Sequence, residues 1–300
     1  MPHRSLWAAL LVASQVMVSC ASDSGATSPA ATTLTATTLT ATVPSTVTPA
    51  AATPTSTSTT STSTSTTSTS TSMSVPATTV APSLITETRV IGQSVQGRDI
   101  TAYRMGDPSG RPVLLIGVIH GDEAKGLGIT QRIRTMPTPA GIDLWIIDSI
   151  NPDGQAANVR YNANGVDLNR NVSYKWSFIP KTSEDSESSG DAPADQPETQ
   201  VLQNFVNEIQ PRITIFWHQD ANRVSPGGAR PSIAMRFAEI VGLSSASTPC
   251  TGGCTGTFTQ YINHTIKDGT AFIVELPGND QVTPAMVALH AEAALEVMTL

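Results

Sequence analysis

Residues 112–123 read PVLLIGVIHGDE, an apolar run that ends on a histidine, a turn and two carboxylates. From Pro112 to Ile119 no polar side chain interrupts it, so this segment cannot alternate between core and water. That pattern predicts a strand covered on both faces, as strands of parallel sheets are. Behind it, Glu123–Met136 carries Leu127, Ile129, Ile133 and Met136 at helical spacing, and Pro137 stops the helix. Asp143–Ile150 (DLWIIDSI) is a second buried strand, ended by the turn signal Asn151-Pro152-Asp153-Gly154. Upstream, Arg89–Gly97 reads as a strand running into a turn, with Asp99–Met105 as its hairpin partner. Downstream, Pro197–Ile209 places Val201, Leu202, Phe205, Val206 and Ile209 on one stripe, and Pro211 closes it. Ile213–Trp217 and Ala271–Leu276 are further strands, and Ala285–Met298 a final helix. Strands alternating with helices predict an α/β fold: three α/β/α layers around a mixed, mostly parallel sheet. Ligands of such sheets gather beyond the carboxyl ends of the strands.

The chain has 300 residues, 24 acidic and 17 basic, for a net charge of −7. That balance argues against a nucleic-acid partner, which needs clustered Lys and Arg. Charged residues make up 14%, well under the roughly 25% of an ordinary domain. The deficit is local, because Arg4 and Asp23 are the only charges in the first 82 residues. Residues 1–19 read as an export signal: Arg4 precedes an apolar stretch, Leu6–Val18, too short to span a bilayer. Val18-Ser19-Cys20-Ala21 resembles a bacterial lipobox, with Met17 where Leu is more usual, and makes Cys20 the expected lipid anchor; ordinary cleavage nearby, with Cys20 discarded, is the alternative. From residue 20 to 82 the chain is mostly Ser, Thr, Ala and Pro, too poor in large apolar groups to fold. A coil of that length reaches on the order of 45 Å. Residues 83–300 are then one domain, held outside the cytoplasm at the outer face of the membrane, or secreted if Cys20 is not acylated. Cys250 and Cys254, in CTGGC, are expected to pair in an oxidising compartment.

The chemistry-bearing residues fall at strand ends. His120 and Glu123 stand three apart in the turn after the first buried strand, and His218 ends the strand ITIFW. Either feature alone is also what a structural turn contains; the coincidence of two histidines at strand ends carries more. Arg160–Asn171 (RYNANGVDLNRN) is a donor-rich loop in which Arg170 offers a planar fork for a carboxylate and Asn169 a further donor. Glu275 interrupts the buried strand AFIVEL, which is costly unless the carboxylate is paired or functional.

In this order, GQSVQGRDI (92–100), HGDE (120–123), NPDG (151–154), GVDLNRN (165–171), PETQ (197–200) and the glutamate strand resemble the zinc metallocarboxypeptidase family from about Thr88 to the end. The Trp217-His218-Gln219 context and the small domain look nearest to murein peptide amidases. The resemblance implies His120, Glu123 and His218 as ligands of one zinc ion, with water completing its shell, and Glu275 as general base. It implies Arg160 facing the scissile carbonyl, and Asn169 with Arg170 as the clamp on a terminal carboxylate. Tyr261, upstream of Glu275, takes the position of a substrate-binding tyrosine. Peptides or muropeptides are the implied substrates, and a monomer is expected. Two other readings stand beside this one: an N-acyl amino acid deacylase of the aspartoacylase type, and a non-catalytic wall-binding lipoprotein on the same scaffold. The stretch Cys250–Phe258 is expected to line the pocket, Ser183–Asp195 to form a solvated flap, and His264 and His290 to be non-ligands, in a loop and in the last helix. Asp122 and Asp167 are expected to structure loops rather than bind metal.

Overall fold

The computed structural model describes residues 84–182, 187–247 and 254–300. The expected export signal, Cys20, the spacer and Cys250, hence the Cys250–Cys254 pairing, lie outside these residues. Among the described residues no helix is long and apolar enough to cross a membrane.

Among the described residues eight strands form one sheet: β1 (Ile85–Gln93), β2 (Asp99–Gly106), β3 (Arg111–Ile116), β4 (Ile142–Ile147), β5 (Ile213–Gln219), β6 (Arg223–Ser225), β7 (Ser244–Ser245) and β8 (Thr270–Leu276). Their order across the sheet is β1-β2-β4-β3-β5-β8-β6-β7. The inner four, β4, β3, β5 and β8, run parallel, while β1 and β2 join antiparallel on one side and β6 on the other. The expected mixed, mostly parallel sheet is present.

Alternation along each inner strand divides the core in two. Val113 and Leu115, Ile215 and Trp217, Phe272 and Val274 face one apolar cluster, which α1 (Gly126–Ile133), α4 (Pro231–Val241) and α6 (Pro284–Val297) cover. Leu114, Ile116, Phe216 and Ala271 face the other, beneath α3 (Pro197–Ile209) and α5 (Phe258–Thr265). Both faces are dry, which is why the inner strands read as continuous apolar runs.

The helices begin where the chain supplies caps. In α3, α4 and α6 a proline sits in the first turn, where its missing N–H costs nothing. Thr257 and Thr283 cap α5 and α6 by accepting from the amides of Gln260 and Met286. Three details differ from the sequence reading. The helix after β3 starts only at Gly126, leaving residues 120–125 free to shape a turn. Asn151-Pro152-Asp153-Gly154 opens a short helix, α2 (Pro152–Ala157), because the Asn151 side chain accepts from Gly154 N at 2.9 Å. His264 lies in α5, not in a loop, and stacks on Tyr174 with ring centroids 4.0 Å apart.

His290, in α6 as expected, packs edge-on against Phe237, and its Nδ1 has no hydrogen-bond partner. Burial lowers its pKa from 6.5 to about 4. Between those values the unfolded chain takes up a proton that the folded chain refuses, so stability falls as pH falls. The loss at pH 5 is about 2 kcal/mol. His290→Leu should remove it: urea unfolding at pH 7 and pH 5 should show the native protein losing that much more than the variant, and equal losses would contradict the assignment.

Candidate active site

Strand order places the site. Consecutive strands β3 and β4 lie side by side, but the next strand, β5, returns to the opposite side of β3. At such a reversal the connections leave in opposite directions and open a crevice beyond the carboxyl ends. His120 lies just past β3, and His218 lies near the end of β5 in register with Glu275 on β8. Parallel neighbours in register point to the same face, so β5 and β8 aim an imidazole and a carboxylate into this crevice.

The turn carrying His120 and Glu123 is pressed against α2. A Cβ on Gly121 would collide with the backbone of Gly154, so this close approach requires glycine. The approach in turn rests on buried polar links that explain the scattered motifs. Asp153 accepts from Ser94 Oγ at 2.8 Å and Gln96 N at 2.9 Å, and pairs with Arg98. Glu198 accepts from Val95 N at 2.9 Å and Asn162 Nδ2 at 3.0 Å. The β1–β2 turn, the start of α2, the loop at Asn162 and the start of α3 thus form one hydrogen-bonded frame. Asp153 of NPDG and Glu198 of PETQ are the carboxylates that hold this frame together.

Within the frame His120, Glu123 and His218 converge, with one ligand-capable atom from each lying within 4.8 Å of the others. The two Nδ1 atoms are 3.2 Å apart, and Glu123 lies 2.8 Å from His120 Nδ1 and 2.9 Å from His218 Nδ1. Two nitrogens on one tetrahedral zinc ion would stand roughly 3.3 Å apart, given bonds of about 2.0–2.1 Å. The donor set and its spacing fit that ion. His120 Nε2 lies 3.1 Å from Asp167 Oδ1, the partner that holds a ligating imidazole with its other nitrogen free. Asp167 is fully buried and also receives Arg160 through Nε and Nη2, at 3.0 and 2.9 Å. It orients two site residues and is not among the three side chains whose ligand-capable atoms converge.

Charge follows from this packing. Burial lowers the His120 pKa, but the Glu123 and Asp167 carboxylates outweigh it and raise the pKa to about 9. For Glu123 burial acts upward and the imidazoles act downward; the imidazoles win, holding it well below the ordinary range. A cation bound between them must displace the His120 proton. Glu275 moves the other way: burial raises its pKa, helped by Glu123 and only partly opposed by the histidines.

A cavity of about 490 Å³ opens over these groups. His120, Glu123, His218, Glu275, Arg160, Asn169 and Arg170 all line it. Arg160 Nη1 reaches Glu123 Oε1 at 2.9 Å and His120 Nδ1 at 3.1 Å, so a carbonyl oxygen entering beside the ligand atoms meets its guanidinium. Asn169 Oδ1 accepts from Phe258 N at 3.0 Å, which fixes the amide while its Nδ2 stays available. Arg170 is 4% exposed and gives Nη1 to the carbonyl of Asn169 at 3.0 Å. Gly256 lies against the Arg170 backbone, too close for any Cβ. Cys254 and Thr257 also line the cavity, in keeping with the expectation for 250–258.

Residues 138–238, which include Arg160, Asn169, Arg170 and His218, match the family described as zinc carboxypeptidase. Murein peptide amidase A of Escherichia coli K12 is 30% identical over 142 residues, covering 44% of this chain and 58% of that protein. This chain therefore spans little more than half the length of that curated relative. The crystal structure of murein-tripeptide amidase MpaA from Escherichia coli O157 superposes with a TM-score of 0.56 at 22% identity, covering 69% of this chain and 91% of that one. Carboxypeptidase A from Helicoverpa armigera gives 0.61 at 18% identity, covering 72% and 67%. The two structures show that the fold is that of zinc carboxypeptidases.

Two expectations about the cavity and its rim do not hold. Tyr261 does not enter the cavity: its ring is 8% exposed in the core beneath α5, and its hydroxyl donates to Asn207 Oδ1 on α3 at 2.9 Å. Phe258, Tyr261 and Ile262 share one helical stripe, and that stripe turns inward. Nor is Ser183–Asp195 a solvated flap, insofar as it is described. Ser188 and Ser189 are buried, and their backbones bond to Asp167 N at 2.9 Å and Ile179 O at 3.1 Å. Asp195 turns inward to Asn171 Nδ2.

Proposed function

We propose that this domain hydrolyses a peptide amide bond beside a free carboxylate, with cell-wall (murein) peptides as substrate. The observation that carries the proposal is the convergence of His120, Glu123 and His218 in the cavity that also holds Glu275, Arg160 and Arg170. The murein peptide amidase name of the relatives supports the substrate class. His120, Glu123 and His218 would hold one zinc ion per chain, which when bound would supply a Lewis acid and lower the pKa of a water beside it. Glu275 takes the proton from the attacking water and passes it to the leaving nitrogen; its raised pKa suits both halves of that task. Arg160 faces the carbonyl oxygen as it gains charge. Asn169 and Arg170 hold the free carboxylate, which sets the register of the scissile bond.

Arg170→Ala should raise KM for substrates with that carboxylate by about 30- to 100-fold, the size of a lost charge-assisted hydrogen bond. Substrates with the carboxylate blocked should change little, and equal effects on both would remove Arg170 from the clamp. The broader test is incubation with defined muropeptides and with C-terminally free and blocked peptides, read by mass spectrometry. Intact muropeptides after prolonged incubation with the zinc-loaded protein would overturn the substrate assignment.

The same proposal covers the N-terminal third: residues 1–19 as export signal, Cys20 as lipid anchor, and the chain to residue 82 as a spacer. It places a monomeric domain, residues 83–300, at the outer face of the membrane, with Cys250 and Cys254 paired. A globomycin-insensitive protein that appears free in the medium would remove the anchor.

A further inference from the structure

The carboxylate clamp holds a carboxylate of the chain itself. Glu187 lines the cavity, and its Oε1 lies 3.0 Å from Arg170 Nη2 and 3.6 Å from Arg160 Nη2. The two arginines are those assigned to the substrate's carboxylate and to its carbonyl. Arg170 has little else to offer an incoming anion: Nη1 is committed to Asn169 O, and Nε is buried without a partner. The guanidinium is 4% exposed, so without a counter-ion it would be a buried, uncompensated charge. The two residues that follow Glu187 are pinned: Asp167 N donates to Ser188 O, and Ser189 N donates to Ile179 O. Its own side chain, in contrast, is 30% exposed and free to turn aside.

We propose that Glu187 determines how strongly the cavity accepts a free carboxylate, by occupying Arg170 until the substrate displaces it. The inference rests on the reading of Arg170 as the carboxylate clamp. A second carboxylate cannot share Nη2 with Glu187 without like-charge repulsion inside a partly dry cavity, so binding is an exchange of partners. The displaced Glu187 swings towards solvent, where its charge is hydrated. Substrates lacking a carboxylate leave the Glu187–Arg170 pair closed and gain nothing from its opening. The resident carboxylate therefore lowers affinity for free-carboxylate ligands and narrows the range of anions the clamp retains.

The test measures affinity rather than turnover, in full-length zinc-loaded protein carrying Glu275→Gln to slow cleavage. An N-acetyl dipeptide with a free carboxylate and the same peptide as its amide are titrated against Glu187, Glu187→Gln and Arg170→Ala forms. Glu187→Gln should tighten the free-carboxylate peptide by about 5- to 10-fold and change the amide by less than about twofold, as removal of one opposing charge at short range predicts. Unchanged or weaker binding of the free-carboxylate peptide to Glu187→Gln, while Arg170→Ala weakens it, would show that Glu187 serves as a support for Arg170 and overturn this inference alone. No effect of Arg170→Ala on either peptide would overturn the clamp, and this inference with it. Equal metal content and thermal midpoints in the three forms establish that the comparison is between folded proteins.

Discussion

Glu275→Gln is expected to lower kcat on a cleavable peptide by about 10²–10⁴-fold, the range that a positioned general base contributes, while bound zinc and thermal stability stay as in the native protein. The expectation follows from where β8 puts this side chain. Glu275 is paired in register with His218, on the face of the sheet that carries the ligand atoms, and it is 7% exposed. Yet it is not among the three side chains whose atoms converge. Burial makes this carboxylate costly to keep ionised and raises its pKa, helped by Glu123 and partly opposed by the two histidines. Glutamine preserves the shape and one acceptor but can neither take nor return a proton. Loss of rate without loss of metal is therefore the signature of a base, whereas loss of both would make Glu275 a ligand. Glu275→Asp gives a further check, since it keeps the acid but withdraws it by one methylene; its rate should fall between the other two. A glutamine variant with undiminished kcat would leave the domain without a base and end the assigned role.

How much of this could be read from the chain depended on the range of the interaction. The buried strands were legible because dryness on both faces leaves a nearly unbroken apolar run, as in Val113–Ile116 and, with Thr214 alone interrupting it, Ile213–Trp217. The ligands were legible because strand ends are fixed once the strands are, so His120 and His218 fall beside each other wherever β3 and β5 pair. The α4 and α5 helices carry only short signals of their own, Pro231 and Thr257 at their starts. Tyr261 was assigned to the substrate by its distance from Glu275 along the chain, yet its spacing from Phe258 and Ile262 already marks an inward helical stripe. In that case local periodicity was the better guide. Glu187 and Arg170 are 17 residues apart with no periodicity between them. Their contact exists only because Ser188 and Ser189 are drawn under the loop that carries Asp167, a tertiary event with no local signature. The roles of Asp153 and Glu198 were hidden in the same way, since each bridges segments about 40 to 100 residues distant.

The second large effect concerns the ion itself. Zinc-loaded protein should carry about one zinc, lose more than about 99% of its activity on exhaustive chelation, and regain it on adding zinc back. His218→Ala should abolish both the metal and its recovery, because only two of the three converging side chains then remain and a catalytic zinc site is built on three. Asp167→Ala separates a ligand from a group that orients one. Asp167 touches His120 at Nε2, away from the Nδ1 that faces Glu123 and His218. Its removal leaves the ligand set complete but the imidazole free to turn, which should weaken zinc by about 10- to 100-fold rather than eliminate it. The two variants are compared by competition against a chelator of known affinity, with metal content measured independently. If His218→Ala retained zinc with native affinity, the convergence at the β3–β5 crevice would be a hydrogen-bonded cluster and no metal centre. The order of the three affinities, native above Asp167→Ala above His218→Ala, is what the geometry demands. An Asp167 variant as empty as the His218 variant would show that the frame around His120, and not the ligand count, limits binding.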